Sequence, residues 1–321
     1  MLQSVGLGCQ NDCPFYPALR PTDVWLKCGA HLGNQGEDGE NKENKPQPVV
    51  LEENGSLGRE DMDYNKILVE RSGEVVTIVF NRPKIYNAID AEMLGELIDV
   101  CRKLGLDTDC RFVIFTGAGN GFMAGEDMRD ELMCKNGDPI SARLKQHQGQ
   151  EFIRLVYELE QITVAAVHGP CLGAGLGLAI ACDLRIASQS AIWGLPNTSV
   201  GVFFTWGLLP KLASLIGPAK AKELTLTGDR LSADEALSIG LVNKLVPPEQ
   251  LMDETQQLID GIAGNGPLAV RMTKKIVNAA MASNFGNIST CEPELVERLY
   301  MSTEPAEGHQ AFLGKRKPQF K

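Results

Sequence analysis

The sequence predicts an α/β fold with a helical tail, and three observations carry that prediction. Short apolar runs alternate with helical periodicity from Tyr64 to Ser188. Several of those runs stop at a glycine, as in Thr116-Gly117 and His168-Gly169. Beyond Trp206 the pattern is almost wholly helical. Strands alternating with helices imply βαβ units joined by right-handed crossovers.

In chain order, ILVERSGEVVTIVFNRP reads as two strands around the Ser72-Gly73 turn. Residues 91–104 place Met93, Leu94, Leu97, Ile98 and Cys101 on one helical face. RFVIFTGAG is a buried strand ending in a glycine turn, residues 150–160 are helical, and TVAAVHG is another apolar strand. GAGLGLAIACD is a small-residue helix and LRIAS a strand. Helices are predicted over 206–226, 232–239, 248–264, 267–280 and about 290–313. No internal repeat is visible.

Composition narrows the function classes. Of the 321 residues, 43% are hydrophobic and 22% charged, enough apolar material for one large or two modest cores. A net charge of −10 argues against a nucleic-acid partner. No run of about 18 apolar residues exists, so no membrane-spanning helix is expected. The amino terminus lacks secretory and mitochondrial signatures, and Gln319-Phe320-Lys321 is not a peroxisomal address, so the expected location is cytoplasmic. The nine cysteines read as reduced, mostly buried small hydrophobes. Cys9, Cys13, Cys28 and His31 have a loosely zinc-like spacing without a finger-like core pattern around it, and no metal is expected. Residues 1–61 are polar, with ten acidic and five basic side chains, and read as a disordered extension. The patterned sequence begins just after Met62, which makes that residue a candidate start.

Two glycine-flanked segments carry the chemistry. Phe122-Met123-Ala124-Gly125-Glu126-Asp127-Met128 follows one strand, and His168-Gly169-Pro170-Cys171-Leu172-Gly173-Ala174-Gly175-Leu176-Gly177 follows another. Each reads as a strand-to-helix transition, where the first N–H groups lack internal partners and the dipole favours negative charge. Two such ends facing one pocket supply two amides to a single oxygen. The alternative is that both are glycine turns serving helix–sheet packing. GAGLG also superficially matches a dinucleotide fingerprint, but the early βαβ position and ribose-binding acid are not evident.

From Tyr64 to Lys321 the sequence resembles the crotonase (enoyl-CoA hydratase/isomerase) superfamily. NRPKIYNAID is similar to its first-helix approach, FTGAGNGFMAGEDM to its first oxyanion segment and AAVHGPCLGAGLGLAIACDLRIAS to its second. LTGDRLSADEALSIGLVNKLVP resembles its downstream helix pair, and EGHQAFLGKRKPQF its carboxy-terminal helix. The resemblance implies a crotonase-like ββα spiral over 62–255 and a helical trimerisation region over 256–321, assembled as trimers or hexamers. It implies an acyl-CoA thioester substrate bound in a bent pose, a place in fatty acid metabolism, and no cofactor beyond the substrate's CoA. It places the oxyanion amides at Glu126 and Ala174. Lys84, Tyr86, Ala124, Asp127, Met128, Arg129, Leu172 and Gly173 would line the CoA channel, with Lys317 and Phe320 approaching a neighbouring subunit's nucleotide.

The sequence departs from that pattern where hydratases carry two glutamates. Those places hold Gly177 and, after the Gly194-Leu195-Pro196 turn, Asn197. Neither transfers a proton near neutral pH. Val202 to Thr205, the nearest places for an isomerase-type acid, hold none, and GVFFTW lacks a dehalogenase-type aspartate. A positioned acid or base contributes about 10²–10⁴-fold, so two-glutamate hydration is disfavoured. Three readings follow. Another group moves the proton, with Glu126 the leading candidate unless it faces solvent or pairs with Arg129. Alternatively, a malonyl-type thioester loses carbon dioxide with Asn197 assisting, unless that residue is a turn former. In the third, the chain is a catalytically silent acyl-CoA or protein-partner binder. Asp127 reads as a helix cap, His168 as a packed residue and Cys171 as a wall. Phe203, Phe204, Trp206 and Trp193 are expected around the acyl end, favouring a bulky or flat group.

Overall fold

Strands and helices follow one another as the periodicity predicts, and a second, smaller sheet lies beside the first. The computed structural model describes residues 63–130, 139–282, 301 and 303–319. The extension, the cysteine–histidine spacing and Phe320 lie outside them. Strands β1 (Ile67–Ser72) and β2 (Val75–Phe80) pair antiparallel across Gly73, whose φ of +58° suits glycine. Helix α1 (Ala91–Leu104) follows, its amino terminus capped by Asp90, which accepts from the Met93 N–H. It buries all five apolar residues expected on its inner face, together with Val100 and Leu104.

Strand β3 (Phe112–Gly117), helix α2 (Pro139–Glu158) and strand β4 (Ile162–Val167) come next. Strand β5 (Pro170–Leu172), helix α3 (Ala174–Ala181), strand β6 (Leu184–Ser188) and strand β7 (Ile192–Gly194) continue the chain. After these run α4 (Leu209–Ile216), α5 (Pro218–Thr227), β8 (Arg230–Ser232), α6 (Ala233–Ser238) and β9 (Lys244–Val246). Helices α7 (Leu251–Ala263), α8 (Pro267–Ala282) and α9 (Glu304–Leu313) complete the described part. The expected 255/256 boundary lies inside α7.

The larger sheet has the order β1-β2-β3-β4-β6-β9, parallel beyond the β1–β2 hairpin. The smaller has the order β5-β7-β8. The chain visits both sheets and then a helix: β4-β5-α3, and then β6-β7-α4. The β3 passage makes a similar visit through a single bridge from Met123 to Cys171 before α2. This repeated strand–strand–helix step is the predicted spiral. Strand β4 is buried along its whole length, as expected for a parallel strand covered on both faces.

The helix expected over 206–226 is two helices. Pro218 opens α5, and Gly217 at φ +79° and ψ +151° turns the chain between α4 and α5. A residue before proline is pushed out of the α region, so one continuous helix was not available.

Candidate active site

Two extended segments lie side by side, in parallel register, at the heart of the candidate site. The Phe122 N–H donates to the His168 carbonyl (2.8 Å), Met123 N–H to Pro170 O (3.0 Å) and Leu172 N–H to Met123 O (2.9 Å). On its other side the first segment is bound to the loop before α1. Ala124 N–H donates to Tyr86 O, Ile89 N–H to Gly125 O and Asp127 N–H to Ile89 O, at 2.8–2.9 Å. Glu126 stands three residues beyond Met123, and Ala174 three beyond its bridge partner Cys171. Among the described residues neither the Glu126 nor the Ala174 N–H has a hydrogen-bond partner.

Glycine makes this approach possible. A Cβ on Gly175 would lie 2.2 Å from the Met123 carbonyl oxygen. Gly125, at φ +106°, comes so close that its Cβ would lie 3.3 Å from Leu172 O and 3.8 Å from Ala174 N. Gly173 turns the chain into α3 at φ +51°, so Ala174 opens a helix with its N–H unbonded. The first segment differs from expectation: Asp127 caps a turn and begins no helix within the described residues. Its carbonyl accepts from Asp130 N–H (2.9 Å), and its carboxylate accepts from Arg129 N–H (3.1 Å) and pairs with Arg82 (3.0 Å). Arg82 also pairs with Asp90 at 2.9 Å, tying the loop before α1 to the site. The helix-dipole argument therefore holds for Ala174 and fails for Glu126.

A cavity of about 160 Å³ opens in front of these amides. Glu126, Ala174, Ala124, Met128, Gly173 and Asn197 all line it, joined by Val200, Val202, Phe204, Thr205, Trp206 and Phe312. Glu126 remains partly accessible through this cavity. No hydrogen bond or ion pair holds its carboxylate among the described residues, and Arg129 is exposed and does not pair with it. Burial raises its pKa to about 7. The Asn197 side-chain oxygen is buried without a partner, and a Cβ on Gly173 would lie 3.8 Å from it. Its backbone carbonyl forms the turn through Val200 and Val202 N–H, so the turn-former reading covers its backbone and not its side chain.

The remaining expected residues fall elsewhere. Lys84 is exposed, and Tyr86 faces a separate depression shared with Asn120 and His168. Leu172 and Asp127 do not line the cavity, and Lys317 is exposed beyond α9. Trp193 is fully buried in the core, and Phe203 does not reach the cavity, so only Phe204 and Trp206 of the expected aromatic cluster line it. Cys171 is likewise in the core, its thiol pushed well up by burial. His168 Nε2 lies 3.1 Å from the Gly119 carbonyl oxygen, and burial lowers its pKa, as for a packed residue. Among the described residues no cluster of acids, histidines or cysteines suits a metal, and no helix is long and apolar enough to cross a membrane.

Comparison with known proteins decides the family. A family model described as Enoyl-CoA hydratase/isomerase matches residues 70–321. The chain belongs to the enoyl-CoA hydratase/isomerase family. It is 35% identical over 260 residues to a crotonyl-CoA hydratase of Syntrophomonas wolfei, covering 81% of this chain and 99% of the relative. It is 34% identical over 257 residues to a short-chain-enoyl-CoA hydratase of Clostridium acetobutylicum, covering 80% and 97%. A crystal structure of an enoyl-CoA hydratase from Mycobacterium avium subsp. paratuberculosis superimposes with a TM-score of 0.72 at 27% identity, covering 81% of this chain and 100% of that one. The fold is thus the crotonase spiral with carboxy-terminal helices.

Within this family the position of Gly177 is informative. A Cβ there would lie 2.8 Å from Leu208 Cδ1 and 3.0 Å from Phe204 Cζ. The space a longer side chain needs is already filled by apolar atoms. Sequence reasoning missed two of the cavity residues named above, Val200 and Phe312, and Phe312 is the more distant. It arrives from α9, more than a hundred residues along the chain from the other walls, and no local pattern marks it.

Proposed function

We propose that the chain binds an acyl-CoA thioester, holds the thioester oxygen with the Glu126 and Ala174 N–H groups, and moves a double bond using the Glu126 carboxyl. The observation that carries this reading is one carboxyl, without a partner among the described residues and with its pKa raised to about 7, lining the same cavity as two amides that are likewise unpartnered there. In the ionised form Glu126 takes a proton from C2 of a 3-enoyl thioester. The electron pair moves into the carbonyl, giving a dienolate whose oxygen accepts from the two amides. The same carboxyl returns the proton at C4, leaving the 2-enoyl thioester. One acid–base group suffices for this exchange. Syn-hydration must activate water and protonate carbon, and the positions that resemble the hydratase glutamates hold Gly177 and Asn197. An oxyanion donor is worth about 10²–10³ in rate and a positioned acid–base group about 10²–10⁴.

In this reading Ala124, Met128 and Gly173 border the thioester and Lys84, Tyr86, Asp127 and Leu172 frame the CoA channel. Lys317 and Phe320 reach a neighbouring subunit's nucleotide, and no cofactor beyond CoA takes part. Trimers, alone or paired, are supported by the exposed apolar side chains of α8, including Leu268 and Ile276. The test is a panel of crotonyl-, 3-enoyl- and malonyl-type CoA esters against wild type and Glu126→Gln. The reading predicts turnover of the 3-enoyl ester that Glu126→Gln abolishes. Hydration of crotonyl-CoA that survives Glu126→Gln contradicts it. Turnover of the malonyl-type ester alone favours decarboxylation, for which the unpartnered Asn197 oxygen is the supporting observation. Binding without turnover of any ester marks a silent binder.

A further inference from the structure

One side of the cavity is an aromatic wall whose two seats are glycines inside helices. At Gly149 in α2, an added Cβ would lie 2.1 Å from Trp206 Nε1 and 2.2 Å from Cε2. The indole therefore rests directly on the helix backbone. At Gly177 in α3, an added Cβ would lie 3.0 Å from the tip of the Phe204 ring. Glycine within a helix is disfavoured relative to alanine; the Trp206 contact explains it at Gly149, and Leu208 Cδ1 (2.8 Å) together with Phe204 explains it at Gly177. Trp206 is 3% exposed and Phe204 4%, and Leu208 packs behind them with no exposed surface. Trp206 also holds a backbone φ of +67°, a conformation that bulky residues rarely adopt. The wall is thus a built feature of the cavity it borders.

Size follows from this wall. The space in front of it is about 160 Å³. An apolar cavity of about 150 Å³ holds one benzene molecule. An acyl chain that runs straight toward this wall meets the indole seated on Gly149.

We propose that Trp206, seated on Gly149 and flanked by Phe204, sets a size limit on the acyl group, admitting compact acyl thioesters and rejecting long straight chains. This rests on the thioester reading above. Saturated esters test it, because they report binding without needing turnover. Affinities of wild type for acetyl-, butyryl-, hexanoyl- and octanoyl-CoA are measured by titration calorimetry, and then those of Trp206→Ala and Trp206→Phe. Butyryl-CoA is expected to bind wild type at least about tenfold more tightly than octanoyl-CoA, the scale of discrimination an apolar pocket gives. Trp206→Ala removes that preference, and Trp206→Phe, which keeps an aromatic ring in the wall, relaxes it partly. Equal affinities of wild type for butyryl and octanoyl esters overturn the proposal, as does a preference that survives in folded Trp206→Phe and Trp206→Ala alike. Failure of every ester to bind overturns the thioester reading itself and the size limit with it.

Discussion

Glu126 brings to one cavity an N–H and a carboxyl that have no partner among the described residues, the two groups the proposed proton transfer needs. Burial raises that carboxyl to about 7, because the charged form loses water without gaining a partner. As the proposed base, it is competent only when ionised. We therefore expect kcat/KM for a 3-enoyl-CoA to rise with pH to a plateau with its midpoint near 7. In Glu126→Gln that limb should vanish and the plateau fall by about 10²–10⁴. The same shift has a consequence for stability. A carboxyl whose folded pKa lies above its ordinary 4.5 favours the folded state while protonated in both states, so wild type loses stability as pH rises from about 4.5 to 7 and levels off above. Glu126→Gln carries no such penalty. Its Tm should exceed that of wild type at pH 8 and match it near pH 4; equal Tm values at pH 8 would refute the burial argument. Glu126 was legible in the sequence as a candidate. Its freedom from Arg129 was not, because that depends on a turn over Asp127–Asp130 where a helix was expected.

At the scale of elements, the site is the register between Phe122–Asp127 and His168–Ala174. Gly175→Ala tests it, since its methyl would lie 2.2 Å from the Met123 carbonyl oxygen. We expect a loss of about 1–3 kcal/mol in urea unfolding, the usual range for overpacking, and weaker acyl-CoA binding in the folded variant. Unchanged stability and affinity would show that the two segments are not rigidly coupled. The longer elements were visible in the sequence because their burial imposes a period: α1 by its inner face, β3 and β4 by continuous apolar runs. The small sheet was not. Its strands, such as Pro170–Leu172 and Ile192–Gly194, are three residues long and carry no period to read.

Across the whole molecule, the cavity is completed by a segment far along the chain. Helix α9 lies against the turn at Thr198–Val200, and Gly308 is the point of contact, where a Cβ would lie 1.9 Å from Val200 O. Phe312, one turn further along, lines the cavity. Gly308→Ala should lift α9 from that turn and weaken acyl-CoA binding several-fold, because the wall at Val200 and Phe312 shifts together. Unaltered affinity would mean that α9 plays no part in the site. The overall spiral was legible through ordered family motifs, whereas this closure depends on tertiary contact alone. A crystal structure with a non-reacting acyl-CoA analogue shows directly where the thioester lies. The thioester oxygen is expected within about 3 Å of both the Glu126 and Ala174 nitrogens, with the Glu126 carboxyl beside C2. A thioester oxygen bonded to only one of these amides, or to neither, would contradict it.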